Sequence, residues 1–356
     1  MERKNNFDFM RLVAATLVVY SHSYPLLGYP GQEPFGRWSG YFSGGALGVA
    51  IFFAMSGYLV TASQQNSSNV FQFLSKRALR IFPALAVVVL LCIFVLGALL
   101  TTLPLPEYFR HQATREYLWN IALWVHFPLP GVFANLPHAG SVNGSLWTLP
   151  IEATMYVAVA LLGLAGLLKR TWIPFVLLAL VALHVCLALY PSLLPTQLWK
   201  VGLLKDVAKF GIYFFAGSAL YLFDRFVPWR AWIVALLLVA WVASFRTPVG
   251  IYFMFVAVPY CTLYVARANF RPLADFGRYG DFSYGLYIYA FPVQQSLVYL
   301  LGREHLTPVK LFFAAQAIAL AFAFLSWHMI EKPALQLKRR LPASRSTGTP
   351  ATAIRD

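Results

Sequence analysis

Charge is scarce in this chain. Only 12% of its 356 residues are Asp, Glu, Lys or Arg, and just 13 are acidic, against 59% hydrophobic and a mean hydropathy of +0.64. So little charge excludes an ordinary soluble domain of this length. Cysteine is scarcer still. Cys92, Cys186 and Cys261 all fall in apolar runs without metal-ligand spacing, which argues against both a disulfide framework and a zinc site. No repeat period, phosphate-binding glycine loop or dinucleotide fingerprint is present. The first apolar run follows Arg3 and Lys4 but is interrupted by Asp8 and Arg11, and no small-residue cleavage site follows it. It reads as an uncleaved first span.

What the chain has instead is apolar length. Windows of about 20 apolar residues, enough to cross a bilayer as helix, fall at 7–27, 46–63, 82–103, 150–168, 172–190, 207–223, 230–245, 248–266, 282–301 and 309–330. The expected fold is therefore all-α, a polytopic membrane protein of about ten transmembrane helices. The net charge of +15 does not call for nucleic acid, because its placement follows the membrane. With an internal N-terminus, eighteen Lys and Arg fall in cytoplasmic segments and eight in outer ones, while Arg11 and Lys209 lie within spans. That asymmetry puts both termini in the cytoplasm. Residues 1–335 form one membrane-embedded domain, and the basic, Ser/Thr/Pro-containing tail 336–356 is expected to be disordered.

The first span, Phe7 to Pro25, carries Arg11 and His22 where lipid disfavours both. Eleven residues are almost three helical turns, so the two share one stripe and lie roughly 16 Å apart along the axis. Ala14, Ala15 and Val18 line that face with small side chains, leaving room for a slender substrate. Ionisable groups within a span mark functional paths. The competing reading has Arg11 reaching to the cytoplasmic surface beside Asp8 and His22 bonding a loop. Gly48, Phe52 and Ser56 share a face suited to close packing on this first helix. Arg77 and Arg80, three apart, form a fork suited to phosphate oxygens, or else simply obey the positive-inside rule.

The connection 101–149 is long and aromatic, and its part 117–127 reads as an interfacial or re-entrant helix. It ends in Asn143-Gly144-Ser145-Leu146-Trp147-Thr148-Leu149-Pro150-Ile151-Glu152, a turn followed by a helix start. Glu152 then falls in a first helical turn, on the same side of the membrane as His22. Farther on, His184 reads as a packing residue, Lys209 as a partner of Asp206, and Asp281 or Ser283 as a cap for the ninth span.

Six segments taken in order resemble the acyltransferase-3 family of integral membrane acyltransferases, over about Asn6 to Pro333. They are Arg11-x10-His22 preceded by Asp8, the stretch Gly48 to Tyr58, Arg77-x-x-Arg80 with Pro83, Ser145 to Glu152, Asp281 to Tyr287, and Ile330-Glu331-Lys332-Pro333. One position departs. Ala290 stands where many relatives carry a His before the aromatic and proline, so no catalytic role is given to it.

The resemblance implies transfer of an acyl group, commonly acetyl, from cytoplasmic acyl-CoA to a carbohydrate hydroxyl beyond the membrane. The acceptor it implies first is an exopolysaccharide or O-antigen, or its lipid-linked precursor, with a small glycoside or glycolipid as the alternative within the same class. Acetyl-CoA enters as a co-substrate and no permanently bound cofactor is expected. His22 is the catalytic candidate, as general base or as nucleophile, with Glu152 orienting it or accepting a proton. Arg11 binds the donor or stabilises charge at the thioester carbonyl. Arg77 and Arg80 hold CoA phosphates, and Ser145, Trp147 and Tyr284 are the substrate-binding candidates. Two other classes stay open: a transporter of acyl donors or lipid-linked sugars that forms no bond, and a structural partner of a polysaccharide synthase.

Overall fold

A computed structural model describes residues 5–190, 198–268, 273 and 276–337. Most of the expected tail, from residue 338 on, lies outside the described residues, as do Arg3, Lys4 and Arg271. Ten long helices occupy the ten apolar windows among the described residues. They are α1 (Phe7–Leu26), α2 (Gly44–Gln65), α3 (Val70–Leu91), α4 (Thr148–Leu164), α5 (Ile173–Leu189), α6 (Leu198–Leu222), α7 (Ala231–Ala243), α8 (Gly250–Arg267), α9 (Ser283–Leu301) and α10 (Pro308–Ser326). A π-turn extends α3 through Leu100, and another carries α10 on to Gln336. Five of these continuous helical segments are long and apolar enough to cross a membrane by length and composition: 44–65, 70–100, 144–164, 250–267 and 308–336. Large apolar side chains such as Phe175, Leu178, Trp232, Leu236, Phe313 and Phe324 are exposed on the outside of the bundle, a surface suited to lipid.

Helix α2 is the central post, packed against α1 on one side and α6 on the other. Both crossings bring backbones together. A Cβ at Gly48 would collide with the Ala14 carbonyl oxygen of α1, and one at Gly57 with the Phe214 carbonyl oxygen of α6. In lipid such contacts are held by dispersion and by polar side chains across the seam. Thr61 Oγ1 donates to Ser218 Oγ at 2.9 Å in the second seam. A separate three-helix seam joins α1, α9 and α10 through Ala15, Val19, Leu286, Ala290, Ala315, Ala319 and Ala323. Here Gln294 Nε2 donates to the Val19 carbonyl at 2.9 Å and to Ser23 Oγ at 2.8 Å.

Three local expectations change. Helix α3 starts at Val70, where the Asn69 side chain accepts from the Gln72 amide at 2.8 Å, so the basic fork lies inside a helix that begins twelve residues earlier than its apolar window. Residues 117–127 are not one helix. A 3-10 turn over Tyr117–Ala122 ends at Leu123 with φ +64°, because the Asn120 side chain takes the Tyr117 and His126 carbonyls and the His126 amide. Helix α4 is preceded without a break by a 3-10 turn at Gly144–Trp147, so Glu152 lies about two turns below the helical start.

His184 sets its ring edge-on to Phe255 at 5.3 Å, in keeping with packing. Lys209 and Asp206 interact through their charges without reaching direct ion-pair distance, and the Lys209 Nζ lies 5.5 Å from the centre of the Phe210 ring.

Candidate active site

Two cavities lie along α1, and they divide the sequence candidates between them. The first, about 120 Å³, takes Arg11 from α1, Ser56 from α2, Arg77 and Arg80 from α3, Glu152 and Tyr156 from α4, and Tyr284 and Tyr287 from α9. The second, about 430 Å³, is lined by His22 from the far end of α1, by Trp147 and Phe291, and by Phe127, His138 and Ser141 of the long loop.

The arginine pocket is organised by a carboxylate that the sequence marks only as a helix cap. Asp281 is nine-tenths buried just before α9. Its Oδ2 accepts from Arg80 Nη2 at 2.6 Å and from Arg11 Nη1 at 3.0 Å, bridging α3 to α1. Its Oδ1 accepts from the Ser283 amide at 3.2 Å and from the Ser283 hydroxyl, so the cap and the ion pair are one residue. Burial pushes its carboxyl pKa upward, but the Arg80 and Arg11 charges and the Ser283 hydrogen bonds outweigh that and hold it at about 2. Arg11 also pairs with Asp8 at 2.6 Å, as the local spacing suggests. Arg80 faces Glu331 at 3.5 Å, and that buried acid accepts from Ser326 Oγ at 3.1 Å.

The two arginines of the fork are therefore unequal. Arg80 is committed to two carboxylates. Arg77 touches Ser63 Oγ at 3.3 Å and lies 5.9 Å from the centre of the Tyr156 ring, and its Nε is buried without a hydrogen-bond partner. An arginine with unspent donors in a cavity is a ready site for an anion. Across from it, Glu152 Oε1 accepts from Ser56 Oγ at 3.2 Å and from the Tyr156 hydroxyl. Tyr284 also belongs here, with its hydroxyl donating to the Ile81 carbonyl at 2.9 Å and Arg80 5.6 Å from its ring centre.

In the histidine pocket, His22 is half-buried and set edge-on to Phe291 at 5.2 Å. The loop is tied over it from α9. Fully buried Gln295 donates through Nε2 to the carbonyls of His138 (2.9 Å) and Ser141 (2.8 Å), and Asn143 Nδ2 donates to the Ile288 carbonyl at 2.8 Å. Trp147 lines this cavity. Ser145 is buried, with its amide donating to Asn143 Oδ1 at 3.2 Å and its Oγ unpartnered.

The small stripe between Arg11 and His22 is not an open groove. Ala14, Ala15 and Val18 are all buried, Ala14 beneath Gly48 and Ala15 in the α9–α10 seam. The two cavities instead draw on residues that are neighbours in the chain. Trp147 and Phe291 face one, while their neighbours Thr148 and Tyr287 face the other and are joined Oγ1 to hydroxyl at 2.7 Å. Glu152 lines the arginine pocket, where Ser56 and Tyr156 hold its carboxylate, and among the described residues it makes no hydrogen bond with His22.

A family model described as an acyltransferase domain (Acyl_transf_3) matches residues 4–328. The chain belongs to the acyltransferase-3 family. It is similar to an O-acetyl transferase of Shigella phage Sf6, 34% identical over 341 residues that cover 93% of this chain and 96% of that protein. It is also similar to nodulation protein 10 of Rhizobium leguminosarum bv. viciae, 31% identical over 373 residues, 96% of each chain. No solved structure matches it. Family membership and the apolar helices together make this an integral membrane acyltransferase.

Proposed function

We propose that the protein transfers acetyl from cytoplasmic acetyl-CoA to a hydroxyl of a polysaccharide, or of its lipid-linked precursor, on the other side of a bacterial inner membrane. The observation that carries this reading is the division of the site: a cationic cavity at one end of α1, an imidazole-lined cavity at the other, and sequence neighbours on the 147–148 and 287–291 stretches that line one or the other. Transfer of acetyl to an oxygen is supported by the phage relative's name, and the sidedness by the excess of Lys and Arg on the arginine-pocket side.

In this scheme Arg77, with Arg11 beside it, takes the CoA phosphates, and Arg80 keeps its carboxylates and shapes the pocket. The acyl arm passes the Thr148–Tyr287 contact. The acceptor hydroxyl oxygen attacks the thioester carbonyl carbon while His22 takes its proton. The C–S bond breaks, and the departing thiolate recovers a proton from the imidazolium. A transient acyl-imidazole on His22 gives the same stoichiometry. Glu152 sits on the donor side and acts there, on Tyr156 and Ser56, rather than on His22.

The test is purified protein in liposomes with labelled acetyl-CoA and polysaccharide. The expected result is release of free CoA that depends on the acceptor and is lost in His22→Ala. Counterflow of label without thioester cleavage would instead make the protein a carrier.

A further inference from the structure

Resting on the proposed function, we infer that His138 is the residue that holds the acceptor in the histidine pocket, by a hydrogen bond from its imidazole to a sugar hydroxyl beside the one acylated. The acceptor is then a pyranose unit recognised through both an aromatic face and a polar edge.

His138 and His22 both stand edge-on to one ring, Phe291, at 5.9 Å and 5.2 Å, so two imidazoles from different parts of the chain flank the same cavity. They differ in setting. His22 is half-buried on a helix, whereas His138 is exposed on the loop, and among the described residues neither nitrogen of its ring has a hydrogen-bond partner. Exposure is usually where a side chain is free to wander, but the loop here is fixed through its backbone. Gln295, itself fully buried, spends both protons of its amide on the His138 and Ser141 carbonyls. A loop held by main chain with its side chain left open to a cavity is the arrangement expected of a recognition residue. Trp147 and Phe127 complete the lining with flat apolar faces against which sugar C–H groups pack, and a few polar groups among aromatics are what orient a small ligand.

The substitution His138→Ala leaves both carbonyls that Gln295 holds, so the loop keeps its anchors. The experiment uses membranes carrying the full chain, acetyl-CoA, and the polysaccharide fraction of the producing cells stripped of O-acetyl groups by mild alkali. Half-saturating concentrations are measured for both substrates. His138→Ala is expected to raise that for polysaccharide roughly tenfold, the size of one lost hydrogen bond to a ligand, and to leave that for acetyl-CoA unchanged. His138→Gln, which keeps a donor and an acceptor, is expected to recover most of it. If wild type transfers acetyl and both variants match it, or if the alanine variant weakens both substrates equally, the inference is overturned while the proposed function stands. If wild type cleaves no acetyl-CoA, the two fall together.

Discussion

The arginine and histidine pockets are built by opposite means. In the first, the functional side chains are held by one another: Asp281 joins Arg11 to Arg80, Glu331 backs Arg80, and Ser56 and Tyr156 hold Glu152. In the second they are held by packing and by main chain, with His22 against Phe291 and the loop carbonyls on Gln295. A charged pocket must satisfy its ions internally, whereas imidazoles set against an aromatic ring need only a shape. Each pocket is therefore vulnerable in its own way. Changing an ion of the Arg11–Asp281–Arg80–Glu331 network disturbs the whole arginine pocket, while changing one imidazole leaves the fold in place.

The largest effect expected from this contrast is at His22. His22→Ala should lower acetyl transfer about 10²- to 10⁴-fold, the usual contribution of a positioned proton acceptor, with the thermal midpoint in detergent nearly unchanged. Equal losses of stability and rate would erase the distinction between the pockets.

Asp281→Asn comes next and should act on stability first. It leaves Arg11 and Arg80 without their shared anion, a loss on the order of 3 kcal/mol for a largely buried pair, read as a lowered unfolding midpoint. The pH dependence has a definite sign. The Asp281 carboxyl is held at about 2 in the fold, below its ordinary value of 3.8, so its contribution is full above pH 4 and is lost as pH falls toward 2. Wild type should therefore lose stability over that window, and Asp281→Asn should lose less.

Much of this arrangement is legible in the amino-acid sequence alone. The ten windows become ten helices because apolar length is a sufficient signal in lipid. Gly48 does sit at the close crossing with α1, whereas Ser56 of the same stripe turns into the arginine pocket beside Glu152. What sequence misses is contact over long separations. Asp281 lies 270 residues from Arg11 and 201 from Arg80, and no periodicity links them. Glu152 goes to the other pocket, and the 3-10 turn at Gly144 that starts its helix early is a feature that Pro150 masks. His138 is invisible for a different reason: an irregular loop has no phase from which a facing direction can be derived.

The fork offers a finer test of the same contrast. Arg77→Gln should raise the half-saturating acetyl-CoA concentration about tenfold with little change in stability, since a charge-assisted bond to phosphate is lost and no internal ion is orphaned. Arg80→Gln should do the reverse, lowering the unfolding midpoint because Asp281 and Glu331 lose their partner. If both variants behave alike, the assigned asymmetry is wrong. The smallest effect is expected at the Thr148–Tyr287 contact. Tyr287→Phe removes one buried hydrogen bond to Thr148 and should reduce stability by about 1 kcal/mol, measured by chemical denaturation in detergent.

The proposed function requires donor and acceptor to reach one reaction from opposite faces of the membrane. Sealed vesicles of known orientation test this, with labelled acetyl-CoA confined to one face and polysaccharide to the other. Label should reach the polysaccharide only when acetyl-CoA is on the face of the arginine pocket. Transfer that requires both substrates on the same face would refute it.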